Sequence, residues 1–271
     1  MNKNKRMVFE PRQVINPDTS AVLGSVELID IMGDDDFIAQ CARTSFDNKK
    51  EHSEEQNARL VQYLYRNKHT TPIEMVEVAF KITAPIFVIR QWIRHRTAST
   101  NEVSRRYVDT PPELYLPEEY RSRPDKSVKQ GSGDAHPDSQ YFKEKVEELQ
   151  DQALQLYDEM IEKGVAPEMA RFHLPVSCMT SWVWKIDLHN LLHFLELRRD
   201  SHAQKEIKAF ADMILDLLHS QERLKAVLKV HEDMTRINSI VRQIANDHKD
   251  DLEGVARTLD VLREGFANLK K

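Results

Sequence analysis

The run Val76-Glu77-Val78-Ala79-Phe80-Lys81-Ile82 alternates in apolar character, the period of a strand with one face against a core. Two more runs read as strands: residues 25–32, stopped by Gly33-Asp34, and residues 178–186, which hold Trp182 and Trp184. The stretches around them carry helix signals. A helix is expected from Asp35, with Phe37, Ile38 and Cys41 on its apolar side, running into residues 42–47. Ser53, followed by glutamates, is read as a capping-box start for a helix that buries Leu60, Tyr63 and Leu64 and ends near Asn67. Thr71 as N-cap, Pro72 at the first position and Glu74 at the third read as another helix start. Such an order of strands and helices fits an α+β fold.

Further along, residues 84–94 read as a helix with Pro85 in its first turn. Positions 86, 89 and 93 form its apolar face, and Gln91 and Arg94 share another, followed by a loop to Ser104. Tyr107 to Leu116 reads as extended, broken by Pro111-Pro112. From Ser139 to Lys163, Phe142, Val146, Leu149, Ala153, Leu156 and Met160 recur at helical steps, and Gly164 ends the run. Asp187 is read as the cap of a helix over residues 188–198. A further helix buries Ile207, Phe210, Ala211, Ile214, Leu217 and Leu218. The domain plan is an irregular arm (1–24), a main domain (25–220) with an exposed insertion (121–137), and a C-terminal extension (221–271). Two or three amphipathic helices are expected in that extension, for example over Ile237, Ile240, Val241 and Ile244.

Seven glycines in 271 residues is well below average usage of about 7%. No G-x-G-x-x-G or Walker loop is present, so phosphates would be held largely by side chains. The stretch that could do so is Arg94-His95-Arg96-Thr97-Ala98-Ser99-Thr100-Asn101-Glu102-Val103-Ser104-Arg105-Arg106-Tyr107. It has four arginines and one acid in a chain of formal charge −5. Guanidinium forks bind phosphate two bonds at a time, and hydroxyls complete the cradle. A solvated basic turn or a nucleic-acid groove would show the same pattern. Net charge and a pI near 6.1 argue against a general nucleic-acid binder.

No run nears the roughly 18–20 apolar residues that span a bilayer, and no signal-peptide core follows the basic N-terminus, so a cytoplasmic location is expected. Cys41 and Cys178 have apolar or small neighbours and no adjacent base, and read as inert thiols. His189 and His193 share a helical face, a spacing that suits a metal. The acid of H-E-x-x-H is missing and no third ligand is indicated, so no metal is expected.

Arg94-His95-Arg96, seven residues, then Ser104, with Asn101-Glu102 inside and Arg105-Arg106-Tyr107 beyond, resembles the signature of the flavin-dependent thymidylate synthases. His69-x-Thr71-Pro72-x-Glu74, Ala170-Arg171-x-x-Leu174-Pro175 and Leu197-Arg198-x-Asp200-x-x-Ala203-Gln204-x-Glu206-Ile207 match in the same order. The resemblance covers about residues 25–218. It implies an antiparallel-rich sheet covered by helices and conversion of dUMP to dTMP. FAD would be the cofactor, with NADPH and 5,10-methylenetetrahydrofolate as co-substrates, in a homotetramer with sites shared between subunits and without nucleic-acid or membrane partners. Arg198 would be the catalytic arginine, touching the uracil ring. Gln91, Arg94, Glu102, Val103, Ser104, Arg105, Arg106 and Arg171 would hold the rest of dUMP, Val103 and Arg105 through backbone N–H groups. Thr71, Arg94, His95, Arg96, Glu102, Asp187, His189 and His193 would border the flavin. Many relatives have Asn or Arg at the last three positions, so the location carries over better than the individual bonds. Asp200 and Glu206 would be structural partners. No cysteine nucleophile is implied.

Overall fold

The sheet is organised around a central strand bonded on both sides. In the computed structural model, which describes residues 10–16, 21–45, 50–124, 131–247, 254 and 256–258, the strands are β1 (Arg12–Ile15), β2 (Val22–Met32), β3 (Glu77–Pro85), β4 (Ala98–Glu102) and β5 (Met179–Asp187). They form one antiparallel five-stranded sheet in the order β1-β2-β3-β5-β4. Register puts Leu28, Phe80 and Trp184 in one row and Val26, Ile82 and Trp182 in the next. All six are buried. Helices cover this face, so the fold is α+β.

The sheet begins earlier than expected. The arm read as irregular contains β1 and the start of β2, and Val14 is buried. Four residues, Gln13 and Val14 among them, give too short a pattern to register as a strand until β2 supplies a partner. Gly24 sits at the bulged end of this pairing with φ +157°, and a Cβ there would lie 2.0 Å from the Thr83 carbonyl oxygen. Likewise, the loop expected between Arg94 and Ser104 contains edge strand β4, whose polar residues Ser99, Thr100 and Asn101 pair with β5. Polar residues suit an exposed edge.

Helix α1 (Asp35–Thr44) is capped by Asp34, which accepts from the Phe37 N–H at 2.7 Å. Of the residues expected to follow it, 46–49 lie outside the described residues. In α2 (Glu54–Arg66) the capping box is present, but the partner of Ser53 is Gln56 rather than a glutamate. Leu64 is buried there, whereas Tyr63 is 56% exposed. The single turn α3 (Thr71–Glu74) starts one residue before expectation. Thr70 is the N-cap, its carbonyl accepting from Ile73 and Glu74, and Thr71 is the first helical residue.

Helix α4 (Ile86–Trp92) is shorter than the sequence pattern, because Ala84 and Pro85 are paired with β5. Its buried face is Val88, Ile89 and Trp92, not 86, 89 and 93; Ile93 is 37% exposed. Trp92 decides the rotation. Its ring lies 5.6 Å from Trp182, 5.2 Å from Trp184, 4.9 Å from Phe194 and 5.8 Å from Phe210, centroid to centroid. Each such pair contributes roughly 0.5–1.5 kcal/mol beyond area burial.

The long helix α5 (Ser139–Glu162) ends at the expected glycine, with Gly164 at φ +80°. Its orientation is rotated from the expectation, with Val146, Ala153 and Met160 half-buried. Gln150 and Tyr157 are buried, while Phe142, Leu149 and Leu156 are 41%, 63% and 42% exposed. The cause is polar. Gln150 donates to the Tyr115 carbonyl at 3.0 Å and to Ser177 Oγ at 2.9 Å, and Tyr157 donates to the Val108 carbonyl at 3.0 Å. Residues 107–116, read as extended, join the sheet region through the bridge Leu114↔Cys178 and through buried Tyr115, whose hydroxyl accepts from Asn16 Nδ2 at 3.2 Å.

The described part of the expected insertion is not a free excursion. Arg121 bridges Ala135, and its guanidinium meets the Glu206 carboxylate at 2.6 Å with both side chains largely buried. Residues 125–130, including Ser127 to Gln130, lie outside the described residues. Helix α6 (Pro167–Ala170) leads into a 3-10 turn, Arg171–His173. Helix α7 (Leu188–Arg198) is capped by Asp187 as expected, and α8 (Lys205–His219) buries all six expected residues.

After a 3-10 turn at Glu222–Leu224, helix α9 (Lys225–Asp247) makes up most of the described extension. It buries Val227, Leu228, Val230 and His231 in its first turns, but Ile240 is 40% exposed. Further helices expected after Asp247 fall almost wholly outside the described residues. Among those described, no helix is long and apolar enough to cross a membrane.

Candidate active site

Three clefts hold most of the expected residues. The first lies beyond the end of β4. The Val103 N–H donates to the Ser181 carbonyl at 2.9 Å, which ties the chain to β5 just before it turns. That N–H is therefore occupied, and Val103 does not offer the backbone donor expected of it. Ser104 Oγ accepts from Arg106 Nε at 3.3 Å, and the Arg106 guanidinium lies 5.0 Å from the Tyr107 ring centre. Arg105 donates to the Thr110 carbonyl at 2.5 Å, and Glu102 accepts from Thr180 Oγ1 at 2.9 Å. The turn after α6 brings Arg171 to the same place. Glu102, Val103, Ser104, Arg105, Arg106 and Arg171 thus share one cleft of about 440 Å³. Three guanidinium groups and a hydroxyl there can take a phosphate.

The second cleft lies at the C-terminal end of α7. Arg198 Nε donates to His95 Nε2 at 3.0 Å. Burial, then the charge of Arg198 and the proximity of His193, pull the His95 pKa down to about 4. The imidazole is therefore neutral at pH 7 and carries its proton on Nδ1, which leaves Nε2 free to accept. Burial lowers the Arg198 pKa as well, but a guanidinium keeps its charge at any physiological pH. Arg198 and Gln91 line a cleft of about 720 Å³ together with Arg121, Glu196, His202 and Arg242. Gln91 Oε1 is buried with no hydrogen-bond partner among the described residues. A buried acceptor left unmet in a residue that lines this cleft calls for a donor that the chain itself does not supply.

The third cleft, about 310 Å³, is lined by His189 and His193 on one face of α7, by His69 and Thr70, and by Thr235 and Asn238 of α9. Thr71 is not in it. It lines an adjoining cavity of about 840 Å³, mostly apolar, with Cys41, Tyr63 and Met75; His69 and Leu64 border both spaces. Both Asp187 oxygens are engaged by Asn190, through its N–H at 2.9 Å and its side-chain amide at 2.8 Å. Asp187 is thus held as a cap.

Some expectations are not met within one chain. The Arg198 and Ser104 clefts share no residue. Arg94 and Arg96 are exposed and line none of these spaces. Helix α4 ends at Trp92, so Arg94 falls in the turn beyond it and does not share the face of Gln91. Asp200 accepts from the His202 N–H and Nδ1, both at 2.9 Å, and Glu206 holds Arg121, so both act as structural partners. The Cys178 thiol is buried at the edge of the Ser104 cleft and Cys41 is half-buried; burial pushes both pKa values up, away from the reactive thiolate. Among the described residues no group of three or more His, Cys, Asp or Glu could hold a metal.

Sequence reading missed Arg121, Glu196 and the contribution of α9. Arg121 looked like part of a polar insertion, and α9 carries no motif. Glu196 lies between the two histidines' face and Arg198, and lines both the second and the third cleft. Its place one turn after His193 was the only available signal.

The family described as thymidylate synthase complementing protein matches residues 27–221. A protein named flavin-dependent thymidylate synthase from Wolbachia pipientis wMel is 45% identical over 220 residues, covering 79% of this chain and 77% of its own. One of the same name from Thermus thermophilus is 46% identical over 195 residues, covering 72% and 71%. Another from Ehrlichia ruminantium (strain Gardel) is 43% identical over 198 residues and 72% of this chain, which spans 66% of that relative's length. Among solved structures, a UMP/dUMP methylase PolB from Streptomyces cacaoi bound with 5-Br dUMP superposes with a TM-score of 0.69 at 27% identity, over 78% of this chain and 95% of its own. With the matched segment running from β2 through α8 and holding the Ser104 cleft and Arg198 itself, the chain belongs to the thymidylate synthase complementing protein family.

Proposed function

We propose that this chain is a flavin-dependent thymidylate synthase, an enzyme that methylates dUMP to dTMP with methylenetetrahydrofolate as carbon donor and NADPH as reductant. The names of its relatives and the bromo-dUMP bound to its Streptomyces neighbour support the nucleotide. The observation that carries the reading is Arg198, aimed by a neutral His95 beside the unmet Gln91 oxygen. In this reading the uracil N3–H donates to Gln91 Oε1. Arg198 stabilises negative charge as it develops over N3 and C4, an effect whose loss raises a barrier by about 3–4 kcal/mol. Ser104, Arg105, Arg106 and Arg171 hold the phosphate. With both cysteine thiols disfavoured as thiolates, activation of the ring falls to electrostatics.

The third cleft and the cavity beside it fit a flavin. They are contiguous through His69, combine a broad apolar wall with the polar groups of Thr70, His189 and His193, and approach His95. Those residues and Thr71 would hold FAD, and the reduced ring would supply a hydride. Arg94 and Arg96, exposed here, would meet ligands in the assembled oligomer.

Assembly is part of the proposal. The phosphate cleft and the Arg198 cleft are separate in one protomer, and exposed Phe142, Leu149, Leu156, Phe172 and Val176 form apolar surface on and near α5 and the first cleft. A homotetramer that apposes the Ser104 cleft of one copy and the Arg198 cleft of another joins the two halves of a nucleotide site. A cytoplasmic location accompanies this reading. Purified protein should be yellow and should release tritium from C5-labelled dUMP only with FAD, NADPH and the folate present. A colourless protein that takes up no FAD and releases no tritium would overturn the reading.

A further inference from the structure

The Arg198 cleft has a wall that the family match does not include. Matched residues end at 221, and α9 begins at Lys225. This helix is firmly seated at its start. Asp35 accepts from the Ala226 and Val227 N–H groups at 2.6 and 3.1 Å, and Tyr65 meets His231 Nδ1 at 2.7 Å. Val227, Leu228 and Val230 are buried beneath it. From that anchored base α9 extends along the second and third clefts, giving Thr235 and Asn238 to one and Arg242 to the other.

The cations of the second cleft are not equally committed. Arg121 is locked to buried Glu206 at 2.6 Å. Arg198 is fixed by His95 at 3.0 Å. Among the described residues Arg242 has a long pairing with Glu196, 3.8 Å, and lies near enough to Asp200 for its charge to lower that carboxyl's pKa, but its side chain is 66% exposed. Of the acids lining the cleft, Asp200 is already engaged by His202. A largely solvated guanidinium with no close carboxylate partner can turn to a better anion at little cost.

We propose that Arg242 forms an anion-binding subsite in the Arg198 cleft, taking a carboxylate or phosphate carried by a ligand of that site. The inference rests on the nucleotide-methylating reading above and adds a ligand contact outside the matched segment. With the dUMP phosphate taken by the Ser104 cleft, two ligands of the reaction bring a further anion: the extra phosphate of NADPH and the glutamate carboxylates of the folate. On binding, Arg242 exchanges Glu196 for the ligand anion, and Glu196, itself part-exposed, returns to water.

The test uses flavin-loaded, full-length protein as wild type, Arg242→Ala, Arg242→Gln and Arg242→Lys. Equilibrium binding is measured for two pairs: NADPH against NADH, and tetrahydrofolate against a tetrahydropterin lacking the glutamate. For one pair, the anionic member should bind Arg242→Ala and Arg242→Gln roughly tenfold or more weakly. Its neutral or less charged counterpart should be unchanged, and Arg242→Lys should recover part of the loss. The affected pair identifies the source of the anion. If both anionic ligands bind Arg242→Ala as they bind wild type, or if both members of a pair weaken equally, the subsite is refuted. Wild type that binds none of these ligands refutes the enzyme reading itself, a result separable from active wild type with an indifferent Arg242.

Discussion

Acidification should unseat Arg198 before it unfolds the protein, and His95 is the reason. Its pKa falls from the ordinary 6.5 to about 4 in the fold. Between those values the unfolded chain binds a proton that the native state refuses, so stability falls as pH drops from about 6.5 to 4 and levels off below. At about 1.4 kcal/mol per pH unit the full drop corresponds to about 3 kcal/mol, and the partial exposure of the ring reduces that to about 2 kcal/mol. His231 is held down to about 4 by burial as well, with Arg199 the next contributor, so wild type carries two such groups. His95→Gln removes one of them while keeping an acceptor for Arg198 Nε. Urea unfolding at pH 7, 6, 5 and 4 should show wild type losing about 2 kcal/mol more than His95→Gln across the window. Near pH 7 the variant should keep most of its turnover. Parallel stability curves for the two proteins would refute the neutral-acceptor argument, whatever the absolute stabilities.

Arg198→Ala should cut tritium release roughly 100-fold or more with circular dichroism unchanged. Gly24→Ala should cost about 3 kcal/mol or more in urea unfolding, because its Cβ would strike the Thr83 carbonyl and the Phe210 ring; an unchanged midpoint would show that β2 and β3 separate freely. Cys41→Ala and Cys178→Ala should each stay within about threefold of wild-type turnover, since burial holds both thiols protonated. Leu149→Glu should leave the monomer folded, its side chain being 63% exposed, and should shift light-scattering mass from the proposed tetramer toward smaller species; unchanged mass would clear α5 of any role in assembly.

Local chemistry was readable from the chain wherever the cause was local. Asp187 and Ser53 cap the helices they precede, Gly164 stops α5, and α8 buries the stripe that its spacing announces, because capping, left-handed termination and helical period involve only a few neighbouring residues. The motif around Ser104 and the one around Arg198 named the family for the same reason: the residue types and spacings are written in the chain. What tertiary structure decided depends on partners far away in sequence. Trp92 turned α4 by filling the space among Trp182, Trp184 and Phe194. Gln150 and Tyr157 turned α5 by bonding to the carbonyls of Tyr115 and Val108. Short polar β4 became a strand only because β5 offered it an edge. The neutrality of His95 and the arrival of Arg242 beside Arg198 follow from burial and from the seat of α9 on Asp35 and Tyr65. Periodicity reports which side of an element is apolar; which side meets the core is set by the shape and unmet hydrogen bonds of whatever it packs against.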